Sequence, residues 1–367
     1  MDAAGNGYFC GRPGKKVEFK NDLNASKIKE VPDMKRLWIL MFCCLLAIML
    51  APGLDSAEAQ VKAKVMKLGH QMNPVHPEHL ASMKFKEIVE KKTGGSVTVD
   101  VYPSDQLGSF FTQMQNLKQG IQQAHVNGLG WPGHFVPEYF LFNTAFAFKG
   151  FDQYAKAING PVGMEIREKL LKQAGIRLIG VGDWRRGPRD LLSVEPIKSV
   201  EEVKGLKIRV PETPSYIASW EALEAAPTPV AFGEAYLALQ QKVVKALECP
   251  LDLIYSQKFY EVARYISITE HLPELIALGV TEKFWQSLTK EEQKIVEEAA
   301  FEAGKYNRKL VEDGEADVKE KMGKAGITYI QVDKEAFYNK GKVAPLNLEK
   351  KGIWPKGFYE RIAATVK

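Results

Sequence analysis

Short runs of alternating apolar and polar residues, interleaved with helical spacings, extend from Val61 towards the C-terminus. In "GLKIRV", Leu206, Ile208 and Val210 alternate with Lys207 and Arg209, the period of a half-buried strand, and Pro211 ends it. "VKAKVMKLGH", "SVTVDVYP", "GIRLIGVG" and "GITYIQV" read as further strands; Val97, Val99 and Val101 mark one face of the second, which stops at Pro103. Helical spacing appears in "PEHLASMKFKEIVEKKTGG", through Leu80, Met83, Ile88 and Val89, with Gly94 as its stop. It recurs in "SFFTQMQNLKQG", closed by Gly120, and in "GEAYLALQQKVV", through Tyr236, Leu239, Gln240 and Val243. Thr289 and Glu292 form a capping box that predicts a long helix reaching Lys324. Strands alternating with helices give an α/β fold with mainly parallel sheets. No Gly/Ser-rich linker marks a boundary, so two domains would be joined by a chain that crosses between them more than once.

One apolar run breaks this pattern. "MKRLWILMFCCLLAIMLAPGLDSAEAQ" begins at Met34 with Lys35 and Arg36, followed by an uncharged stretch over 37–50 that is short for a membrane span. Ala57-Glu58-Ala59 then supplies the small-x-small pattern of a signal-peptidase site. The expectation is a cleaved signal peptide over 34–59, with residues 1–33 a start-site extension and the product exported to the periplasm; the alternative is an uncleaved anchor. Cys10, Cys43 and Cys44 would leave with the leader, so Cys249 would stand alone and form no intramolecular disulfide.

The chain has 367 residues, of which 45% are hydrophobic and 26% charged, enough for two domains with sizeable cores. A net charge of +5 from 50 basic and 45 acidic residues, with no basic block, argues against a nucleic-acid partner.

Catalytic constellations are sparse. There is no nucleophile elbow, phosphate loop or dinucleotide fingerprint, and no cofactor is expected. His70, His76 and His79 cluster in "GHQMNPVHPEHL", but no Cys or carboxylate completes a zinc set, so no metal site is expected. The arginines carry more. "GDWRRGPRDLLS" places Arg185, Arg186 and Arg189 around Trp184, Gly187 and Pro188, a loop by its Gly-Pro punctuation. It is either a solvated basic turn or a ligand loop at a strand end. Arg209 has the same two readings: a solvated residue on a polar strand face, or a guanidinium at the rim of a crevice where it can clamp a carboxylate.

"GLKIRVPETPSYIASWEALEAAPTPVAFGEAYLALQQ" and "KFYEVARYISITEHL" resemble the core signature of dicarboxylate-type solute receptors of TRAP (tripartite ATP-independent periplasmic) transporters, and "VYPSDQLGS" resembles an earlier motif of that family. The likeness runs from about Val61 to beyond Val332. It implies a two-domain, periplasmic-binding-protein-like fold with a ligand cleft between the domains and a long helix spanning both. The domains would comprise 60–186 plus about 275–314, and 187–274 plus about 315–367. By resemblance, Arg209 pairs with the ligand carboxylate, Arg189 is a second arginine of the site, and Phe232 lines the pocket. Trp184 lies beside these arginines and joins the expected site.

Two departures from the family pattern bear on the ligand. Cys249 in "ECP" replaces an asparagine, and a thiol is a weak hydrogen-bonding group, so Cys249 is expected either to line the cleft or to fill the core. "SFFT" replaces acidic residues, and "HVNGLGW" offers Asn127 and Trp131 at the pocket wall. A flatter, more aromatic or more apolar acid would suit these changes.

The expected function is a non-enzymatic, monomeric receptor that delivers a small organic acid to TRAP membrane subunits. An exported hydrolase or lyase would need a nucleophile–base or metal constellation. A sensor module docking on a signalling receptor would share the same soluble chain.

Overall fold

The computed structural model describes residues 63–366, so the leader and the first residues expected in domain one lie outside it. Ten strands, β1 (Lys64–Gly69), β2 (Val97–Tyr102), β3 (Ala124–Gly128), β4 (Ile176–Ile179), β5 (Arg185–Ser193), β6 (Lys207–Val210), β7 (Ala226–Pro229), β8 (Ala246–Pro250), β9 (Tyr265–Thr281) and β10 (Thr328–Gln331), join in the order β2-β1-β3-β9-β5-β8-β6-β7. The strand β10 pairs with β9 at one end and β4 pairs with it at the other.

The sheet is mixed, where mainly parallel pairing was expected. Pairs β1–β2, β1–β3, β6–β7, β6–β8 and β9–β10 are parallel. Pairs β3–β9, β4–β9, β5–β8 and β5–β9 are antiparallel. The cause is β9, which runs for 17 residues through both halves of the sheet. Its start, Tyr265 to Ile268, pairs with β10, while Ile276 to Thr281 pairs with β3 and β4.

The helices that matter here are α1 (Pro77–Lys92), α2 (Phe110–Gln119), α3 (Pro214–Ala222), α4 (Leu251–Ser256) and α5 (Lys290–Lys324). The buried face of α1 runs through Ala81, Phe85, Ile88 and Val89; Leu80 and Met83, which share the expected helical spacing, are exposed. The capping box of α5 forms as the sequence predicts, with Thr289 Oγ1 accepting from the Glu292 amide and Glu292 accepting from the Thr289 amide. The expected helix through Val243 is only Ala235–Gln240, and Lys242 just beyond it takes a φ of 60°.

Among the described residues there are three hydrophobic clusters, of which two are joined by α5. The first packs β1, β2 and β3 with α1 and with Val296, Ala299, Ala300 and Ala303 of α5. The second gathers Leu247, Ile254, Phe259 and Ile266 with Met322 near the other end of α5. The long helix thus belongs to both halves, and the α/β two-domain arrangement expected from the sequence is present. Among the described residues no helix is long and apolar enough to cross a membrane.

Candidate functional site

The segment expected as a loop, "RRGPRDLLS", is strand β5, held between β8 and β9. The pairing of β5 with β9 shifts register between Arg185 and Pro188 and again between Arg189 and Leu191. A bulge lets Pro188, which has no amide hydrogen to donate, sit within a sheet. It also aims Arg186 and Arg189 into one buried space.

Both guanidiniums are paired there. Arg186 donates to Glu78 Oε2 from Nη2 at 2.6 Å and to Glu274 Oε1 from Nη1 at 2.8 Å. Arg189 donates to Glu274 Oε2 at 2.6 Å and to Glu248 Oε1 at 2.7 Å, and its Nε donates to Glu248 Oε2. Glu274 on β9 therefore bridges two arginines while being 1% exposed. Gly128 makes room for it: a Cβ there would meet Glu274 Oε1 at 2.4 Å. Burial by itself would raise Glu248, but the Arg189 charge and a hydrogen bond from His271 hold it below the usual carboxylate range. Glu78 is the opposite case, since burial outweighs the Arg186 charge and lifts it to about 7.

Arg209 differs from both. The strand β6 delivers it 2% exposed, and its Nε and Nη2 donate only to the Val230 carbonyl, at 3.0 and 2.8 Å. Among the described residues no carboxylate forms an ion pair with it. Burial lowers its pKa, the mark of an incompletely compensated cation. Phe232 stands beside it, with the Arg209 Cζ 5.9 Å from the ring centroid.

These three arginines line a cavity of about 100 Å³ together with Thr213, Tyr216 and Glu274. Thr213 is the N-cap residue of α3, yet its hydroxyl makes no capping bond. Across from β6 the wall is aromatic. Phe110 and Phe111, at the start of α2, meet the His134 ring edge-on, with centroids 5.0 and 5.4 Å apart. Trp131 packs over Gly279, where a Cβ would meet its Cζ2 at 2.5 Å, and its indole nitrogen donates to the Ala277 carbonyl at 3.0 Å. Burial lowers His134 to about 4, so the imidazole is neutral at pH 7.

A family model described as bacterial extracellular solute-binding protein, family 7, matches residues 68–347. The chain belongs to that family. Solute-binding protein RD1_1052 of Roseobacter denitrificans is 33% identical over 82% of this chain and 92% of its own length. The crystal structure of that TRAP periplasmic solute binding protein with bound L-galactonate aligns with a TM-score of 0.76 and 31% identity, covering 83% of this chain and 99% of the other. The 2,3-diketo-L-gulonate-binding periplasmic protein YiaO of Escherichia coli is 27% identical over 76% of this chain and 85% of its own length.

Of the residues expected from family resemblance and position, Arg189, Arg209, Phe232, Asn127 and Trp131 line the cavity. Two lie elsewhere. Trp184 is wholly buried in the first core, and its Nε1 donates to the Ala300 carbonyl of α5 at 2.8 Å. Cys249 is also wholly buried, in the second core, with Sγ 3.7 Å behind Arg189 Nη2. It is not among the residues lining the cavity, and burial pushes the thiol up to about 12.

Sequence reasoning passed over Glu248, Glu274 and Glu78. A signal for Glu274 existed, a lone carboxylate inside the apolar run "LPELIALGV", since unpaired charge is rarely buried. The three histidines of "GHQMNPVHPEHL" are occupied structurally. His76 caps α1 by accepting from the Glu78 amide, and His70 contacts His79 at 3.1 Å. Among the described residues no cluster of three or more His, Cys, Asp or Glu has metal-binding geometry.

Proposed function

We propose that the chain is an extracytoplasmic receptor that holds a small organic-acid anion through Arg209 and hands it to the membrane subunits of a TRAP transporter. The observation that carries this reading is the charge state of the cleft. Arg186 and Arg189 have partners inside the protein, whereas Arg209 is buried with only a carbonyl to accept from it. A ligand carboxylate supplies the missing anion, and Thr213 at the N-cap of α3 and Tyr216 in its first turn stand ready to add hydroxyl contacts. The partial positive charge at the start of α3 favours the same anion.

The two domains are taken as 60–186 plus about 275–314, and 187–274 plus about 315–367. With those boundaries β5, β9 and α5 form the crossings, and closure about them traps the ligand. Export to the periplasm through the 34–59 leader fits the family. No catalytic step is assigned, because binding and closure complete the task of a receptor.

Calorimetry against a panel of organic acids tests the reading. Truncating one partner of a buried charge pair costs about 2–5 kcal/mol, so Arg209→Ala should weaken the best ligand roughly 30-fold or more while the fold survives. Near-native affinity in that variant would remove Arg209 from the site.

A further inference from the structure

We infer that the cleft selects a flat, mainly apolar monocarboxylate, an aromatic acid, in preference to a polyhydroxylated sugar acid; the inference rests on the receptor reading above. Three observations converge on it.

The first is how few polar groups remain free. Arg186 and Arg189 each commit four of five N–H donors to Glu78, Glu248, Glu274 and Asn127, leaving one Nη1 hydrogen apiece. Asn127 also donates to Gln71 and accepts from the Gly128 amide. The Trp131 indole is held by Ala277. Among the described residues, the other uncommitted groups are Arg209 Nη1, the Thr213 and Tyr216 hydroxyls, the Asn143 amide nitrogen and the His134 imidazole, with Glu212 exposed at the rim. Three of these five lie on the stretch from Arg209 to Tyr216 and serve the carboxylate end. The body of the ligand is left with Asn143, His134 and the one spare N–H on each of Arg186 and Arg189. A hexonate with a hydroxyl on every remaining carbon would bury several of them unpaired, at about 1–3 kcal/mol each.

The second is the wall itself. Phe110, Phe111 and Trp131 present ring surface, and Met72 and Leu253 add apolar surface beside them. Edge and face contacts of this kind favour a planar ring. His134 continues the wall because its imidazole is neutral and packs against Phe110, Phe111 and Phe140.

The third is charge. Arg186 and Arg189 are each bonded to carboxylates, whereas among the described residues Arg209 is bonded to none. The cleft therefore has room for one further negative charge. A second ligand carboxylate would point into the aromatic wall or towards Glu274, with no free cation to meet it.

The test uses the chain lacking residues 1–59, with benzoate, 4-hydroxybenzoate, phenylacetate, L-galactonate and succinate as probes, read by thermal shift and calorimetry. At least one aromatic monocarboxylate should bind tenfold or more tightly than L-galactonate and succinate. Phe111→Ala, at a residue 43% exposed and so tolerant of change, should erode most of that preference while Tm stays near the parent value. Tighter, Arg209-dependent binding of L-galactonate or succinate overturns the aromatic assignment and leaves the receptor reading standing. Retention of the full preference in Phe111→Ala also overturns it. If no probe binds, the aromatic assignment fails; if binding is indifferent to Arg209→Ala, the receptor reading fails and the inference fails with it.

Discussion

Replacing Glu274 by glutamine removes one charge and almost no volume from the centre of the fold, so it isolates the buried ion network. Each Glu274 oxygen accepts from a different arginine, Oε1 from Arg186 at 2.8 Å and Oε2 from Arg189 at 2.6 Å. A glutamine can satisfy one of them with its carbonyl; its amide nitrogen then faces the other guanidinium, donor against donor. Two buried cations would share less compensation, and breaking a buried pair costs about 3–5 kcal/mol. At about 2–4 °C per kcal/mol, Tm should fall by roughly 6–20 °C. Glu270→Gln is the control, because Glu270 on the same strand meets Lys334 where both side chains are exposed, a pair expected to contribute about 0–1 kcal/mol. Thermal unfolding of both variants, followed by circular dichroism, makes the comparison. The cleft of Glu274→Gln also becomes more positive, so affinity for a monoanion should not fall if the variant is folded. A Tm within about 2 °C of the parent would mean that the bridge contributes little and that the reasoning about buried charge is wrong.

Further outcomes follow from the same placements. Cys249→Asn should cost about 1–3 kcal/mol, because an amide enters the dry core behind Arg189, and it should leave the ligand profile unchanged; a changed profile at native Tm would return the residue to the cleft. The pH dependence of stability should carry a Glu78 component. Its folded pKa of about 7 lies above the unfolded value, so between about pH 4.5 and 7 the native state binds more protons than the unfolded chain, and this component of stability falls as pH rises. Comparing Glu78→Gln with the parent by denaturant titration at pH 5 and pH 7.5 should show the stability gap shifting in favour of the variant at the higher pH, and a gap independent of pH would contradict the raised value.

How much of this was written in the sequence depends on the range over which each signal acts. The cap of α5 rests on Thr289 and Glu292, three residues apart, and both the start and the end of the helix match the expectation. Strands β1, β2 and β10 carried their own alternation. The strand β5 was hidden because Gly187 and Pro188 are local turn signals that a bulge overrides, and the bulge is held by neighbours about sixty to ninety residues away, on β8 and β9. The strand β9 was hidden for another reason: it is buried on both faces for most of its length, so alternation vanishes and only the apolar run remains.

The site divides along the same line. Arg209 was legible as a cationic residue at the end of a short strand, but whether it met water or a crevice was undecided by alternation. The deciding fact is long-range: Glu248 and Glu274 are taken by Arg189 and Arg186, and Arg209 is the arginine left over. Which cation of a buried cluster stays available to a ligand depends on how the carboxylates are shared, and that sharing is set by β5, β8 and β9 lying side by side. The same sharing decides what the ligand meets next, since polar groups committed to one another leave the aromatic residues of α2 and the 131–134 turn as the free surface.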